Sequence, residues 1–304
     1  MSRREKLLKR SLVNLIKKSG GSFKKISDYS LIMERLASRL AAMNVQINSA
    51  EQLKVRHIEM YIASRRNDDR ISKRTGQNEM SAIRCMLNKA DKTLMADPSH
   101  ERLSNKALGL SGASRKGTKS SISDERYREI LAGVEKKDRG VAAAARLSRY
   151  LGLRNEEAVQ AVKSLQTWKK SLDNGDNKLK VIFGTKGGRV RMTTVVHPEK
   201  VKEAVEAALA YSAEHNSKLI DKSGLKSALD YYINVLRRDG GLKGGRETPH
   251  SLRYSYAADA MQYHLSHGFS HEESLALTSI DLGHGDGRGT YIKNVYYQSD
   301  DDSE

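Results

Sequence analysis

The chain has 304 residues, with 54 Lys or Arg against 37 Asp or Glu and a formal net charge of +17. That length predicts two domains of roughly 100–200 residues each, and the positive surplus points to a polyanionic partner. One Trp and three Phe are too few to anchor a basic helix on a membrane, and the single cysteine, Cys85, excludes an internal disulfide or a multi-cysteine metal site. No run approaches 18 apolar residues and no apolar stretch follows the basic N-terminus, so a reducing, cytoplasmic setting is expected.

The charge is uneven. Residues 1–112 hold 23 basic against 11 acidic side chains, and residues 113–304 hold 31 against 26. The first stretch reads as helices. Leu7, Leu8, Leu12, Leu15 and Ile16 have helical spacing. So do Ile32, Met33, Leu36, Leu40 and Met43, with Ser27 or Ser30 as the N-cap. Val55, Ile58, Met60, Tyr61 and Ile62 predict a third helix, and Met80, Ile83, Met86 and Leu87 a fourth. Arg65, Arg66, Arg70, Lys73, Arg74, Arg84 and Lys89 fall on the polar faces. Such faces are commonly just solvated, but the regional surplus favours contact with a phosphate backbone.

Residues 113–120 read as a flexible linker, within a small-residue stretch that starts at Gly109, and carry Arg115, Lys116 and Lys119. A second domain, 121–304, opens with a helix at Ser123-Asp124-Glu125. Leu179, Val181 and Phe183 alternate before the turn Gly184–Gly188, and Val190, Met192, Thr194 and Val196 alternate after it, which predicts a β-hairpin. Helices are expected near 199–215, 224–238, 250–266 and 271–281. The fold class is therefore mainly α with a small antiparallel sheet (α+β).

Several residues in this second domain suit chemistry at a phosphate. His250 and Arg253 are three apart, on one face of a helix, where a planar cationic fork and an imidazole can grip one anion. Alone the pair is most often a surface coincidence. Arg154 stands just after a glycine that ends an apolar helix, with Glu157 three residues on to orient it. Lys186 sits in the hairpin turn, where a lysine is usually solvated but can also reach into a groove as a proton donor. His284 follows Leu282-Gly283 in a glycine-rich loop, and Tyr291, Tyr296 and Tyr297 come last. A tyrosine is ordinarily a packing residue; beside cations holding a phosphate, its hydroxyl can attack phosphorus. Neither a P-loop nor a dinucleotide fingerprint is present, and no metal-ligand spacing is found.

The order Arg, Lys, His-x-x-Arg, Gly-His, Tyr, behind a basic helical region and a linker, resembles the tyrosine recombinase (phage-type integrase) family over nearly the whole chain. The resemblance implies a helical core-binding domain (1–112) and a catalytic domain (121–304) closing on DNA as a C-shaped clamp. It implies a site-specific recombinase that cuts and rejoins strands through a 3′-phosphotyrosyl link, with neither metal nor cofactor. Arg154 and Arg253 would bind the non-bridging oxygens, His250 would move the tyrosine proton or bond the phosphate, and His284 would add a phosphate bond. Lys186 would protonate the departing 5′-oxygen, and Glu157 would support Arg154. The expected partners are double-stranded recombination sites, further copies of the chain as a tetramer on DNA, and accessory DNA-bending proteins. Relatives commonly place the nucleophile where Lys293 stands here. A short insertion among Gly285–Gly289 would make it Tyr296, with Tyr297 and Tyr291 as alternatives. Many relatives carry a docking helix beyond the tyrosine; residues 298–304 here are short and acidic and are expected to form a solubilising tail, or alternatively to contact a basic surface of another copy. A different class of function remains open, a DNA-binding regulator or accessory protein that uses the same fold without cutting.

Overall fold

Serines start three helices of the first unit. In the computed structural model, which describes residues 1–114 and 116–297, Ser2, Ser22 and Ser72 each accept a hydrogen bond from the amide three residues on. They open α1 (Arg3–Lys18), α2 (Phe23–Ala42) and α4 (Lys73–Lys89), and α3 (Val55–Asn67) and the single turn α5 (Thr93–Ala96) complete the set. The start of α2 lies earlier than Ser27 or Ser30, which are both inside the helix. Its first turn buries nothing, Phe23 being 95 % exposed, so apolar periodicity carried no sign of it.

Leu8, Leu12, Ile16, Met33, Leu36, Leu40, Ile58, Ile62, Met80, Ile83 and Leu87 form the core of this unit. A buried carboxylate crosses it. Glu79 accepts from the Tyr61 hydroxyl at 2.9 Å, from Arg35 at 2.8 Å and from Arg65 at 2.6 Å. A buried charge is tolerated when it is paired in this way. Arg65 is thus a structural residue and not the outward phosphate contact its helix position suggests. Arg66 donates to the Leu108 carbonyl, and Arg84 to the Leu103 carbonyl and Asn105, so these two also tie down the chain at the end of the unit. Arg70, Lys73, Arg74 and Lys89 remain exposed.

The chain divides into compact units Met1–Ser114 and Arg115–Glu304. Arg115 and the acidic residues 298–304 lie outside the described residues. The segment read as a flexible linker is tied to the second unit over part of its length. The Gly117 amide donates to the Asn294 carbonyl, the Ser120 amide to the Arg246 carbonyl, and the Lys119 ammonium to the Gly245 carbonyl. These bonds engage Lys119 within the unit, while Lys116 is exposed.

The second unit begins with α6 (Asp124–Lys137), capped by Ser123, and α7 (Arg139–Leu151). Short helices α8 (Asn155–Val159) and α9 (Leu165–Asp173) lead to the hairpin β1 (Lys178–Val181) and β2 (Arg191–Thr194). The two strands are antiparallel, with Leu179 opposite Thr193 and Val181 opposite Arg191. Then follow α10 (Pro198–Glu214), α11 (Leu225–Arg238), α12 (Ser251–Ser266), α13 (His271–Asp281) and α14 (Gly289–Val295).

The phase of β2 differs from its apolar alternation. Val190 and Met192 are exposed, and Arg191, Thr193 and Thr194 are buried. The inward positions hold polar side chains with partners. Thr193 donates to the Leu151 carbonyl, and Asp281 accepts from the Thr194 amide and hydroxyl. Helices α6 to α11 share one apolar core, around Val141, Leu147, Leu165, Trp168, Val205 and Leu236. A second cluster, Tyr254, Ala257, Met261, Leu275, Leu282, Ile292 and Tyr296, binds α12, α13 and α14 together.

Candidate active site

The turn after α7 brings the first arginine inward. Gly152 closes the helix in the left-handed conformation (φ 58°), and a Cβ there would lie 2.3 Å from the Tyr256 ring. Glycine alone permits both the angle and the approach. Arg154 is then the N-cap of α8. Its amide donates to Glu157 Oε2 at 2.8 Å, its Nη1 to Oε1 at 2.6 Å and its Nη2 to the Leu282 carbonyl at 3.0 Å.

Arg253, on the first turn of α12, is fully buried. Its two Nη atoms donate to the Gly152 and Leu282 carbonyls, and Glu157 Oε2 is 3.9 Å away. Its Nε is buried without a hydrogen-bond partner. Arg191, which belongs to none of the motifs named above, donates to the Asp281 and Gly152 carbonyls and to Glu157 Oε2. Three guanidiniums therefore surround one carboxylate. No sequence signal marked it, because the apolar alternation of Val190 and Met192 places Arg191 on the outward face.

Charge in this cluster sets the protonation states. Burial, the strongest single influence on Glu157, favours its neutral form, yet Arg191, Arg253 and the Arg154 amide hold its pKa down at about 2. Burial and then the positive neighbours Arg253 and Arg154 push His250 down to about 4. Burial, Arg253, Arg154 and Arg191 push His284 down to about 3. Burial lowers Arg253 to about 10, so it stays a cation at neutral pH. The site is thus a positive cluster of guanidiniums beside neutral imidazoles, an environment that favours an anion. A bound phosphate would offset the arginines and raise both histidines.

Both imidazoles converge on one tyrosine. The Tyr296 hydroxyl is 3.3 Å from His284 Nε2 and 3.5 Å from His250 Nε2. Its ring lies 4.4 Å from that of Tyr254 and 6.0 Å from the Arg253 guanidinium. Helix α14 ends just before it, and the Tyr296 amide bonds to the Ile292 carbonyl. Tyr296 is 7 % exposed, whereas Tyr291 is 38 % exposed and lies beside His284, ring to ring at 4.8 Å. Tyr297 turns elsewhere, its hydroxyl accepting from Gln262 at 3.3 Å and its ring near His271. Arg154, Glu157, His250, Arg253, His284 and Tyr296 come together in this way.

Lys186 does not join them by any contact. It is exposed, in the 3-10 turn Lys186–Gly188. The base of its turn is nevertheless close to the site. At Gly184 (φ 73°) a Cβ would lie 2.5 Å from the Glu156 carbonyl oxygen and 2.8 Å from the Glu157 amide. The hairpin thus abuts α8, and its lysine stands in a glycine-flanked turn.

The depressed histidines have a consequence for stability. In the unfolded chain a histidine takes its proton near pH 6.5, while in the fold His250 and His284 resist until about 4 and 3. As pH falls below 6.5 the unfolded state binds more protons, so stability falls with pH. Glu157 adds to the loss below its ordinary 4.5, down to about 2. The thermal midpoint of the full chain is expected to drop steadily between pH 6.5 and 4. A His250→Gln, His284→Gln double variant should show a visibly shallower slope by calorimetry.

Comparison with known proteins agrees with this architecture. The family model described as phage integrase, N-terminal, matches residues 5–96, and the one described as integrase matches residues 109–259. No curated protein matches the sequence. Among solved structures, a lambda integrase tetramer bound to a Holliday junction is similar with a TM-score of 0.59 at 15 % identity, covering 98 % of this chain and 79 % of that one. XerH site-specific recombinase bound to a difH substrate gives 0.57 at 14 % identity, over 94 % and 82 %. The Tn1549 transposon integrase in complex with transposon right end DNA gives 0.56 at 14 %, over 96 % of each chain. At such identities the likeness is one of fold. The chain belongs to the tyrosine recombinase (phage-type integrase) family.

Proposed function

We propose that the protein is a site-specific DNA recombinase that cuts and rejoins strands through Tyr296, in the integration or excision of a mobile element. The observation that carries this is the Tyr296 hydroxyl between two neutral imidazoles, beside a cluster of buried guanidiniums.

The chemistry follows from those groups. The Tyr296 oxygen attacks a backbone phosphorus while His250 or His284, unprotonated at neutral pH, receives its proton. The bond from phosphorus to the 5′-oxygen breaks, leaving a 3′-phosphotyrosine and a 5′-oxygen that Lys186 protonates. The phosphorane-like transition state gains negative charge on its non-bridging oxygens, which Arg154 and Arg253 neutralise as fixed donors. A 5′-hydroxyl from a partner strand then attacks the phosphotyrosine and reverses the steps. One ester replaces another, so no energy source is consumed.

The DNA grip is assigned to the exposed Arg70, Lys73, Arg74 and Lys89 with Lys116, in the basic first unit and the segment after it. Exchange between two duplexes needs four active tyrosines, which supports a tetramer on DNA; a similar solved structure is a tetramer on a Holliday junction. Accessory DNA-bending proteins and a cytoplasmic, DNA-associated location complete the reading. Among the described residues no helix is long and apolar enough to cross a membrane.

The test is strand exchange between labelled attachment-site duplexes, followed by detection of protein-linked DNA. Recombinant duplexes and a covalent adduct are expected. Binding without adduct would instead favour a non-cutting regulator. The role of Lys186 has its own check. Lys186→Ala is expected to slow cleavage by about 10²–10⁴-fold, the usual worth of a general acid. A substrate with sulfur in place of the bridging 5′-oxygen should restore most of that rate, because a thiolate leaves without a proton.

A further inference from the structure

Arg191 occupies an inward position of β2, opposite Val181, where an apolar side chain would be the ordinary choice. A buried guanidinium costs several kcal/mol unless it is paired, so its presence calls for a reason. Its three partners lie on separate segments. Gly152 precedes Arg154 by two residues, Glu157 holds the Arg154 fork, and Asp281 leads into Leu282-Gly283-His284. Gly283 lies so close that a Cβ there would be 2.6 Å from Arg191 Cδ. Asp281 is itself fixed, through His264 Nε2 at 2.9 Å and the Thr194 amide and hydroxyl.

We propose that Arg191 is a further positioning residue of the strand-transfer site, which locks the Arg154 turn, Glu157 and the His284 loop into one rigid unit. This rests on the recombinase reading above. Arg191 shares the Gly152 carbonyl with Arg253, and Arg253 shares the Leu282 carbonyl with Arg154. The three arginines are thereby interlocked through two carbonyls and one carboxylate. Of the two arginines that donate to Glu157, Arg154 is the more open, its side chain 20 % exposed against 3 % for Arg191, and Arg191 acts through the carboxylate they share.

The electrostatics agree. Among the groups that oppose burial and keep Glu157 ionised, Arg191 comes first, ahead of Arg253 and the Arg154 amide. The charged and titratable groups around Glu157 are Arg154 on α8, Arg191 on β2 and Arg253 and His250 at the start of α12. Without Arg191, Glu157 would become protonated at a higher pH and release Arg154.

The test compares wild type, Arg191→Met, Arg191→Lys, Glu157→Gln and the Arg191→Met, Glu157→Gln double variant in single-turnover cleavage of a nicked duplex. Arg191→Met is expected to cut about 10²-fold more slowly, as misplacement of a catalytic group does, with DNA affinity changed less than about threefold. Its acid limb should move to higher pH than that of wild type. Arg191→Lys, which keeps the charge, should recover the acid limb but only part of the rate. In the double variant the two losses should be far from additive. Wild-type rate and pH profile in Arg191→Met would overturn the proposal, and so would strict additivity. If Arg191→Met fails to fold, Arg191→Lys decides: a wild-type rate there refutes a role for the fork. Absence of cleavage by the wild type would refute the recombinase reading instead, and so separates the two failures.

Discussion

Tyr296→Phe is expected to abolish protein-linked DNA, with a loss of at least about 10⁴-fold, while DNA affinity stays within about twofold of wild type. The substitution removes one oxygen. The ring keeps its place against Tyr254, at 4.4 Å, and in the cluster with Ile292 and Leu282, so the fold is retained. What disappears is the hydroxyl proposed to form the ester, and no route of comparable rate replaces a missing nucleophile. The competing tyrosines give different outcomes. Tyr297→Phe should leave cleavage nearly intact, because its hydroxyl bonds to Gln262, away from the imidazoles. Tyr291→Phe should slow cleavage modestly through its ring contact with His284. A Tyr296→Phe variant that still traps DNA would move the nucleophile to one of these. The measurement is denaturing electrophoresis of labelled suicide substrate after incubation with each variant.

Arg253→Lys is expected to slow single-turnover cleavage on the order of 10²–10³-fold, the cost of removing one preorganised donor from a developing anion. Charge is not what this change removes. A lysine ammonium is a point donor on a flexible stem and cannot bridge the Gly152 and Leu282 carbonyls as the planar fork does. Nor does it have a counterpart to the buried Nε of the guanidinium. Stability should fall by less than the ~1–3 kcal/mol of an orphaned carbonyl, because Arg191 and Arg154 still donate to the Gly152 and Leu282 carbonyls. Chemical denaturation and the cleavage time course, measured on one preparation, separate the two effects. A variant with normal stability and normal rate would remove Arg253 from the site.

Much of the second unit was legible in its sequence, because its helices obey strong local rules. Ser123 followed by two acids is a helix start, and the structure has it there. Four long helices fall within a residue or so of the spans that periodicity marks. Features fixed by long-range partners were harder to read. The phase of β2 followed from burial of Arg191 and Thr193, which depends on Glu157, Gly152 and Tyr256, residues far away in sequence. Apolar alternation pointed the other way, to Val190 and Met192, which are exposed.

The same distinction holds for the arginines of the first unit. Their helix positions were visible, but not the buried Glu79 that engages Arg65, nor the chain end that engages Arg66 and Arg84. A carboxylate at a helical core position is the trace such a network leaves, and Glu79, one residue before Met80, was that trace. At the candidate site, residue types and order named six of the residues that converge. Arg191 belongs to no motif and emerged only from the geometry. Lys186 stands apart in the opposite sense, marked by its place in a turn but exposed and away from the converging side chains among the described residues.

The most direct measurement is the identity of the residue joined to DNA. The wild-type chain is incubated with a nicked attachment-site duplex, the adduct is digested with nuclease and trypsin, and the modified peptide is sequenced by mass spectrometry. Cleavage after Arg288 and Lys293 puts Tyr291 on one peptide and Tyr296 and Tyr297 on the next. The account predicts a phosphonucleotide on Tyr296. The same modification on Tyr291 or Tyr297, or DNA held tightly with no tyrosine modified, would contradict it.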